Sequence, residues 1–223
     1  MSQRSTGGEA IVRSFAGGVL PPDDVVVTAL RAGDEAMFAA LLDTWSGGML
    51  RVARSYVTTD SFAEEVVQDT WLAVIGGIDD FEGRSSVKTW VYRILINTAK
   101  KRSVRESRTL PWSFFEADGD RGGDKWHGPV PEGGWRETPA AWPTPEGEAL
   151  AAEMRGLIAE ALARLPPRQR VVLTLRDVEG YSSDEVCEML EISAANQRVL
   201  LHRAREAVRG WLADYFESVK QPD

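Results

Sequence analysis

Residues 165–193, LPPRQRVVLTLRDVEGYSSDEVCEMLEIS, indicate the fold class because they contain residues that begin and end helices. Two prolines near the start suit the first turn of a helix, and Gly180 suits its end. Ser182 and Glu185 have the spacing of a capping box, which predicts a second helix directly after the glycine. Ser193 can cap a third helix. Because only a few residues separate the second and third helices, the stretch predicts a helix-turn-helix.

The third predicted helix carries side chains that suit a recognition helix in the major groove of DNA. Residues near the N-terminus of such a helix read base edges, where amide and guanidinium groups pair with adenine and guanine. Basic residues further along the helix usually contact phosphates. Helical hairpins also serve as plain core elements, so this motif taken alone leaves DNA binding open. The candidate DNA-contacting residues are Asn196, Gln197, Arg198, His202, Arg203 and Arg205.

The apolar residues outside this motif also follow the helical period. Between residues 25 and 78 they recur every three or four positions, and no stretch alternates at period two for long. A further helix is predicted over residues 85–105, with Ser85 or Ser86 as its N-cap. The fold class is therefore predicted to be all-α. The residues that carry this period include Leu30, Phe38, Leu41, Leu42, Phe62, Val66, Val67, Leu72 and Val74, and the predicted buried stripe of the helix at 85–105 consists of Val87, Val91, Ile94 and Leu95.

The helical pattern is lost between residues 109 and 148, which hold six of the 11 prolines and half of the 8 tryptophans. Proline, glycine and acidic residues at this density predict a long flexible linker between two small helical domains. Disordered segments are usually poor in aromatic residues, so these tryptophans are expected either to pack on the protein's own domains or to occupy a groove on a partner. The predicted organisation is a disordered N-terminal tail at 1–24, a first domain at 25–108, the linker at 109–148 and a helix-turn-helix domain at 149–218.

Composition excludes several classes of protein. A single cysteine, Cys187, excludes an internal disulfide, and two separated histidines give no cluster for a metal. No apolar run approaches the roughly 18 residues of a membrane-spanning helix, and charge and glycine interrupt residues 1–20, so no secretory signal is expected. The chain is predicted to be cytoplasmic, with no membrane insertion, no metal and no cofactor.

Charge is strongly segregated along the chain, although the net charge is -8. Residues 20–82 hold 12 acidic side chains against three arginines, whereas residues 84–108 hold eight basic side chains against Glu106 alone. A basic block this dense on an acidic chain favours a polyanion site over chance clustering on solvated helices. Within residues 81–93, FEGRSSVKTWVYR, basic groups are mixed with aromatic and hydroxyl groups, which suits unpaired bases. Trp90 falls on the apolar stripe and is expected in the core.

A ridge of carboxylates, Glu64, Glu65 and Asp69, lies on the predicted helix SFAEEVVQDTWLAVI at residues 61–75. Paired carboxylates can carry acid–base chemistry. Here no nucleophile, histidine or phosphate-binding glycine loop accompanies them, so a docking face that mixes polar and apolar side chains is the simpler interpretation. The chain is therefore not expected to be an enzyme.

The chain resembles the extracytoplasmic-function (ECF) sigma factors of bacterial RNA polymerase, in the sigma-70 superfamily. The resemblance is carried, in order, by SFAEEVVQDTWLAVI, by FEGRSSVKTWVYRILINTAKKR and by LPPRQRVVLTLRDVEGYSSDEVCEMLEIS with LLHRAR after it. It covers residues 30–108 and 151–212. It implies a factor that binds core polymerase, recognises and melts promoter DNA, and so directs promoter-specific transcription initiation. The implied partners are the largest and second-largest polymerase subunits, promoter DNA and an anti-sigma factor.

The resemblance also implies roles for residues. The helix at 61–75 would face the clamp of the largest subunit, the loop at 82–88 would capture a flipped promoter base, and the acidic linker would mimic nucleic acid in the active-site cleft. The implied core-polymerase-binding residues are Glu64, Glu65, Val67, Gln68, Asp69 and Trp71. The implied minus-ten DNA-binding residues are Arg84, Ser85, Ser86, Lys88, Arg93, Asn97, Lys100, Lys101 and Arg105. The six candidates on the recognition helix would bind minus-thirty-five DNA.

Three positions depart from the family's usual pattern. Glu191 stands where the family usually has glycine, which costs about 1 kcal/mol if the backbone there is left-handed. Gln197 replaces a residue that is usually apolar. Cys187 occupies a position of small packing residues and is expected to pack against the next helix, with redox sensing as the alternative.

Two other functions are alternatives to that of a sigma factor. An ordinary helix-turn-helix regulator explains the second predicted domain but leaves the basic, aromatic-containing block at 84–108 unused. A hydrolase would have to use Glu64, Glu65 and Asp69, for which the sequence offers no supporting constellation.

Overall fold

The computed structural model describes residues 20–106, residue 154 and residues 156–220. Within these ranges every regular element is helical, which confirms the predicted all-α class. The chain divides into two compact units, with the division directly after Glu106. The predicted linker at 109–148, with its four tryptophans, and most of the predicted N-terminal tail lie outside the described residues. Among the helices that are described, none is both long and apolar enough to cross a bilayer.

Four helices of the N-terminal unit lie within the described residues. The third and fourth helices share the most extensive contact, and the second helix packs against both. The short first helix lies against the second and touches the fourth. A single turn of 3₁₀-helix, Ile78–Asp80, follows the third helix directly. The helices are α1 at Asp23–Arg31, α2 at Glu35–Ala53, α3 at Asp60–Gly77 and α4 at Val87–Glu106.

Local side chains cap the first turns of α2 and α4. The Asp34 carboxylate caps α2 by accepting hydrogen bonds from the backbone N–H groups of Ala36 and Met37, at 2.9 and 3.0 Å. The Ser86 hydroxyl caps α4 by accepting from the Thr89 N–H at 3.0 Å, so of the two predicted caps Ser86 is the one used. Each cap satisfies donors that the first helical turn leaves unpaired.

The core of this unit contains most of the residues that carry the helical period, among them Leu41, Val66, Val91 and Leu95. Leu72 fits the same period but is 68% exposed. The burial of α4 is also wider than a single stripe, since this helix packs against both α2 and α3. Its further buried residues are Tyr92, Ile96, Ala99 and Ser103.

The C-terminal unit contains the predicted helix-turn-helix. Pro166 precedes the second helix of the unit and Pro167 opens it, as the prolines predicted. The recognition helix packs mainly on the second helix and less on the third. The helices are α5 at residues 156–163, α6 at Pro167–Leu173, α7 at Ser183–Leu190 and α8 at Ala194–Lys220.

The end of α6 differs from the sequence prediction. From Thr174 to Val178 the chain forms a π-helical turn, which takes more residues per turn than an α-helix. Val178, the last residue of this turn, is 48% exposed. Gly180 then adopts a positive φ of 74°, in agreement with its predicted role in ending the helix.

The helix caps at the starts of α7 and α8 follow the predicted pattern. The Ser182 hydroxyl accepts from the Glu185 N–H at 3.3 Å, and the Glu185 carboxylate accepts from the Ser182 N–H at 2.8 Å, which confirms the capping box. Glu191 ends α7 in the left-handed conformation, with φ 57° and ψ 46°. The Ser193 hydroxyl accepts from the Asn196 N–H at 3.2 Å and begins α8.

Candidate polymerase and nucleic-acid interfaces

One face of α3 combines carboxylate, amide and aliphatic groups at the surface. Glu64 and Gln68 are exposed, and the same face continues to Leu72 and Ile75, which are 68% and 54% exposed. Spacings of three and four residues place these side chains in one row. Asp69 is also exposed, beside this row. We call these five residues the α3 face.

Sequence reasoning missed the apolar half of the α3 face. In the sequence Leu72 contributes only to the helical period, and Ile75 is only the last residue of the predicted helix at 61–75. Large aliphatic side chains at the surface that continue a polar row are typical of a docking site rather than of a solvated helix. The signal that could have found them is the excess of apolar residues on α3, where Val67, Trp71 and Val74 already fill the inward side.

Three of the residues implied in polymerase binding serve the unit's own structure. Val67 and Trp71 are buried, and the Trp71 ring packs edge-on against Phe38 with centroids 5.5 Å apart and in parallel with Trp45 at 6.3 Å. The Glu65 carboxylate forms an ion pair of 2.6 Å with Arg102, which ties α3 to α4. The structure therefore places Val67 and Trp71 beneath the α3 face, while Glu65, half-exposed beside it, is engaged with Arg102.

A cleft of about 290 Å³ lies between the loop after α3 and the start of α4. Phe81 and Trp90 form an aromatic pair on its wall, with ring centroids 5.1 Å apart. Trp90 is half-buried rather than in the core, so its expected placement was wrong. The other lining residues are Asp80, Glu82, Arg84, Ser85 and Arg93.

The chemistry of this cleft suits an unpaired base. Aromatic rings offer a stacking surface, while Arg84 and Arg93 supply hydrogen-bond donors and positive charge. The exposed Arg84 guanidinium lies 2.5 Å from the Glu82 carboxylate. The Ser86 hydroxyl is engaged in capping α4 and also donates to the Thr89 hydroxyl at 2.8 Å, so it is less available than Ser85.

A strip of basic and amide groups leads away from the cleft along α4. It begins at Arg93 on the cleft wall and continues through residues that are all exposed. At about 1.5 Å per residue the strip runs for roughly 18 Å, long enough to follow several nucleotides. Lys88 is half-buried before the strip, and Arg102 lies on the opposite side with Glu65. The strip, called the α4 strip below, comprises Arg93, Asn97, Lys100, Lys101 and Arg105.

Two of the six candidates on the recognition helix do not face solvent freely. Gln197 is 1% exposed, and its side-chain oxygen accepts a hydrogen bond from Ser183 at 3.1 Å, so it belongs to the core between α7 and α8. Arg205 forms two hydrogen bonds with the Asp177 carboxylate, at 2.7 and 2.8 Å. These bonds raise the pKa of Arg205 above its usual value. Gln197 is thus buried within the unit, and Arg205 is engaged by Asp177.

The remaining four candidates do lie at the surface of α8. Arg198 and Arg203 are exposed, and Asn196 and His202 are half-buried. The Arg198 guanidinium donates to the Ala194 carbonyl at 3.2 Å, which holds it near the N-terminus of the helix. This is the end of a recognition helix that approaches base edges.

Cys187 is half-buried on α7 and close to Ser183. Burial raises the pKa of the thiol above its usual value, so less of it is thiolate at neutral pH. This favours the packing interpretation over redox sensing. Within the described ranges there is also no group of three or more histidine, cysteine, aspartate or glutamate residues that could hold a metal.

Comparison with known proteins accounts for both units. The model of Sigma-70 region 2 matches residues 41–109, which hold the α3 face, the cleft and the α4 strip, and the model of Sigma-70, region 4 matches residues 155–208. The ECF RNA polymerase sigma-E factors of Salmonella typhimurium and Escherichia coli are each 29% identical over 189 residues, 83% of this chain and 92% of theirs. The chain belongs to the extracytoplasmic-function group of the sigma-70 family.

Other relatives of this sigma factor agree in extent. The sigma-E factor of Haemophilus influenzae is 26% identical over 186 residues, which are 83% of this chain and 93% of that protein. The relatives are therefore matched over nearly their whole length. As a member of this family, the sigma factor acts in promoter-specific initiation of transcription.

Two solved structures share the fold of this sigma factor. CnrH, in complex with the cytosolic domain of CnrY, has a TM-score of 0.57 at 20% identity, covering 86% of this chain and 97% of CnrH. The sigma factor RpoE of Bartonella quintana, in complex with the anti-sigma factor NepR, has a TM-score of 0.54 at 20% identity, covering 79% and 96%. At this level of identity the likeness concerns the fold alone.

Proposed function

We propose that this sigma factor binds core RNA polymerase through the α3 face, holds melted promoter DNA in the cleft and along the α4 strip, and reads duplex DNA upstream with α8. The observation that carries the proposal is the continuity of an aromatic cleft with a basic strip on an otherwise acidic chain. We place this non-enzymatic role in the cytoplasm, where polymerase and chromosome are found.

The α3 face suits a protein partner better than it suits DNA. Glu64 and Asp69 would repel phosphates, whereas Leu72 and Ile75 gain free energy when a partner covers them. Burial of one such side chain contributes about 1.5–3 kcal/mol. The supports beneath, Trp71 and the Glu65–Arg102 ion pair, hold the row rigid, which lowers the entropy lost on binding. The proposed occupant is the clamp of the largest polymerase subunit.

The cleft and the α4 strip suit single-stranded DNA. A base that leaves the duplex stack can lie against Phe81 and Trp90, and each such stacking contact contributes about 1–3 kcal/mol. Lys100, Lys101 and Arg105 lie on the exposed side of α4 and can follow the phosphates of the melted strand. Asn97, between Arg93 and Lys100, can donate or accept a hydrogen bond. We propose this surface for the minus-ten region of the promoter.

The recognition helix α8 is proposed to enter the major groove of the minus-thirty-five region. Asn196 and Arg198, near its N-terminus, are the proposed base-reading residues, and His202 and Arg203 are the proposed phosphate contacts. Gln197 and Arg205 are left out of the contact set because the unit uses them internally. We further propose that an anti-sigma protein binds this chain, as the anti-sigma factor NepR binds the sigma factor RpoE.

The deciding experiment is reconstitution with core polymerase. The purified chain should form a stoichiometric complex with the core enzyme and enable initiation from a template with a pre-melted bubble. A Glu64, Gln68, Asp69 triple-alanine variant should lose most of this affinity. A matched triple-alanine variant in α1 and α2, at Asp24, Asp43 and Thr44, removes two exposed carboxylates and one exposed neutral polar group outside the α3 face and should bind like the wild type.

Two outcomes would contradict the proposal in different ways. If the wild-type chain fails to bind core enzyme yet binds duplex DNA by itself, an ordinary helix-turn-helix regulator is the correct interpretation. If both triple-alanine variants bind and initiate like the wild type, the chain is a sigma factor but docks through another surface.

A further inference from the structure

Helix α1 is bound to both ends of the loop that forms the base cleft. At one end, the Arg31 guanidinium donates hydrogen bonds to three carbonyls of the backbone after α3. Its Nε donates to the Ile78 carbonyl at 3.3 Å, and its Nη2 donates to the carbonyls of Asp79 and Phe81, at 3.2 and 2.8 Å. A single side chain therefore holds the backbone on which Phe81 is carried.

At the other end of the loop, the Asp23 carboxylate accepts a hydrogen bond from the Val87 N–H at 2.8 Å. Val87 is the first residue of α4, so this donor is one that the helix leaves unpaired. Ser86 satisfies the donor of Thr89 in the same turn. Asp23 and Ser86 together fix the point at which the loop becomes a helix.

Asp23 and Arg31 are the first and last residues of α1, about 12 Å apart along its axis. One rigid helix thus spans the loop from its first residue to its last. Five of the seven residues that line the cleft lie between the two anchored points, and Trp90 and Arg93 lie just beyond the second. A shift of α1 would therefore move both walls of the cleft.

These contacts are separate from the packing of α1. Val26 and Val27 are buried and attach the helix to the unit, whereas Asp23 and Arg31 are exposed and contribute little to the core. Both polar contacts reach backbone atoms, so they constrain the path of the loop whatever its side chains are. A charged side chain bonded to backbone carbonyls or N–H groups makes stronger hydrogen bonds than a neutral pair.

We propose that Asp23 and Arg31 are positioning residues for base selection, acting through the loop rather than by touching DNA. The inference rests on the proposed function of the cleft as the site of an unpaired promoter base. Discrimination between bases requires donors and acceptors held within a fraction of an ångström, which a freely moving loop cannot supply. With α1 in place, Arg84, Ser85 and Trp90 keep their spacing when no DNA is bound.

The test uses holoenzyme and a pool of bubble templates that are randomised across the melted minus-ten region. Sequencing the transcribed templates gives the ratio of the best to the worst base at each position. Arg31→Ala and Asp23→Ala should lower the highest of these ratios about fivefold, because each loses charge-assisted hydrogen bonds to the loop. Core-polymerase affinity and the melting temperature of the chain should stay close to those of the wild type.

Two variants keep this test specific. Asp23→Asn retains an acceptor oxygen for the Val87 N–H and should keep the base preference within about twofold. Arg54→Ala removes an exposed arginine of the same unit, paired with Asp60 at 2.8 Å and remote in sequence from the loop, and should also keep it. A preserved preference in Arg31→Ala and Asp23→Ala would overturn the inference. It would also be overturned if these variants lost core affinity by the same factor, because α1 would then be a general structural support.

Trp90→Ala separates a failure of the inference from a failure of the proposed function. If Trp90→Ala loses the base preference while Arg31→Ala keeps it, the cleft is the base site and only the positioning role is wrong. If Trp90→Ala and Arg93→Ala both keep the preference, the cleft does not hold the base and the inference fails with the proposed function. Loss in Trp90→Ala, Arg31→Ala and Asp23→Ala, with retention in Asp23→Asn, supports both.

Discussion

Glu191 holds a left-handed backbone at the turn of the helix-turn-helix, with φ 57°. A side chain with a Cβ atom pays a steric cost there that glycine avoids. Glu191 lies just before the recognition helix. The helix caps at Ser182 and Ser193, on either side of it, hold the strained residue in place. A residue with this geometry is a natural target for stabilisation.

Replacing Glu191 by glycine should raise the free energy of unfolding by about 0.5–1 kcal/mol, since the steric cost exceeds the added entropy of the unfolded chain. Urea unfolding of the full chain, followed by circular dichroism, measures the change. Glu188→Gly, within α7 at an exposed helical position, should instead lower stability by about 1 kcal/mol. A loss of stability in Glu191→Gly would mean that the side-chain contacts of Glu191 outweigh the strain.

Gln197 is a polar residue inside the core of the C-terminal unit. Its amide oxygen is bonded to Ser183, but its amide nitrogen has no partner and is buried. An unsatisfied buried donor costs about 1–3 kcal/mol, which offsets the benefit of the hydrogen bond. Leucine has a similar shape and lacks both polar atoms.

Gln197→Leu is therefore expected to leave the melting temperature unchanged or raised, and to leave the affinity of holoenzyme for duplex minus-thirty-five DNA unchanged. A residue that reads a base would lose about 1–3 kcal/mol of binding on this substitution. Fluorescence anisotropy on a promoter duplex measures the affinity, with Arg198→Ala as the variant expected to weaken it. Weaker binding by Gln197→Leu, at unchanged stability, would restore Gln197 to the recognition surface.

At the scale of elements, the π-helical turn after α6 is tied to α8 through one ion pair. The Asp177 carboxylate is mostly buried and lies 2.7 Å from the Arg205 guanidinium. The pair joins residues 28 positions apart and sets how the turn lies against the recognition helix. It also explains why Arg205, a predicted phosphate contact, is engaged within the unit.

Removal of the Asp177 carboxylate in Asp177→Ala should destabilise the chain by about 2–3 kcal/mol, because Arg205 would remain half-buried without its partner. The double variant with Arg205→Ala should be less destabilised than the sum of the two single variants. Urea unfolding of the four chains in this cycle gives the coupling energy. Additive losses, together with weakened DNA binding by Arg205→Ala, would return Arg205 to the phosphate contacts.

In the molecule as a whole, acidic and basic side chains are concentrated in different segments. The chain carries -8 overall, yet the α4 strip and the surface of α8 are basic. Phosphate attraction is blind to sequence, so a free sigma factor with only basic surfaces would be held all over the chromosome. The acidic segment at residues 109–148, with eight carboxylates against three basic residues, can offset this attraction until polymerase binds.

Neutralising part of the acidic segment should therefore raise the affinity of the free chain for duplex DNA severalfold at low salt, and less at high salt where charges are screened. Anisotropy titrations at two salt concentrations measure this. The test variant changes Glu116, Asp118, Asp120 and Asp124 to amides, and the control variant changes Asp24, Asp43, Glu188 and Asp214 to amides. An equal gain in affinity in the control variant would mean that only net charge matters. No gain in either variant would contradict the proposed offset.

The sequence alone predicts the features that depend on near neighbours, although it leaves the choice between Ser85 and Ser86 and the left-handed backbone at Glu191 to the structure. The all-α class follows from the helical period, and the caps at Ser182 and Ser193 follow from residues within four positions of one another. Hydrogen bonds at this spacing form within one turn of helix, so they are encoded locally. The basic segment after residue 84 and the family resemblance were likewise visible without coordinates.

Only the tertiary structure decided which side of each helix faces the core. Helical periodicity gives two apolar sides on α3, and packing against α2 and α4 selects Val67 and Trp71 for burial while Leu72 remains outside. Packing of α7 on α8 likewise buries Gln197. The bonds from Asp23 and Arg31 to the loop span 64 and up to 50 residues in sequence, a separation that no local pattern reports. Burial and long-range hydrogen bonds depend on how helices meet, and that is settled by the free energy of the assembled unit rather than by any segment alone.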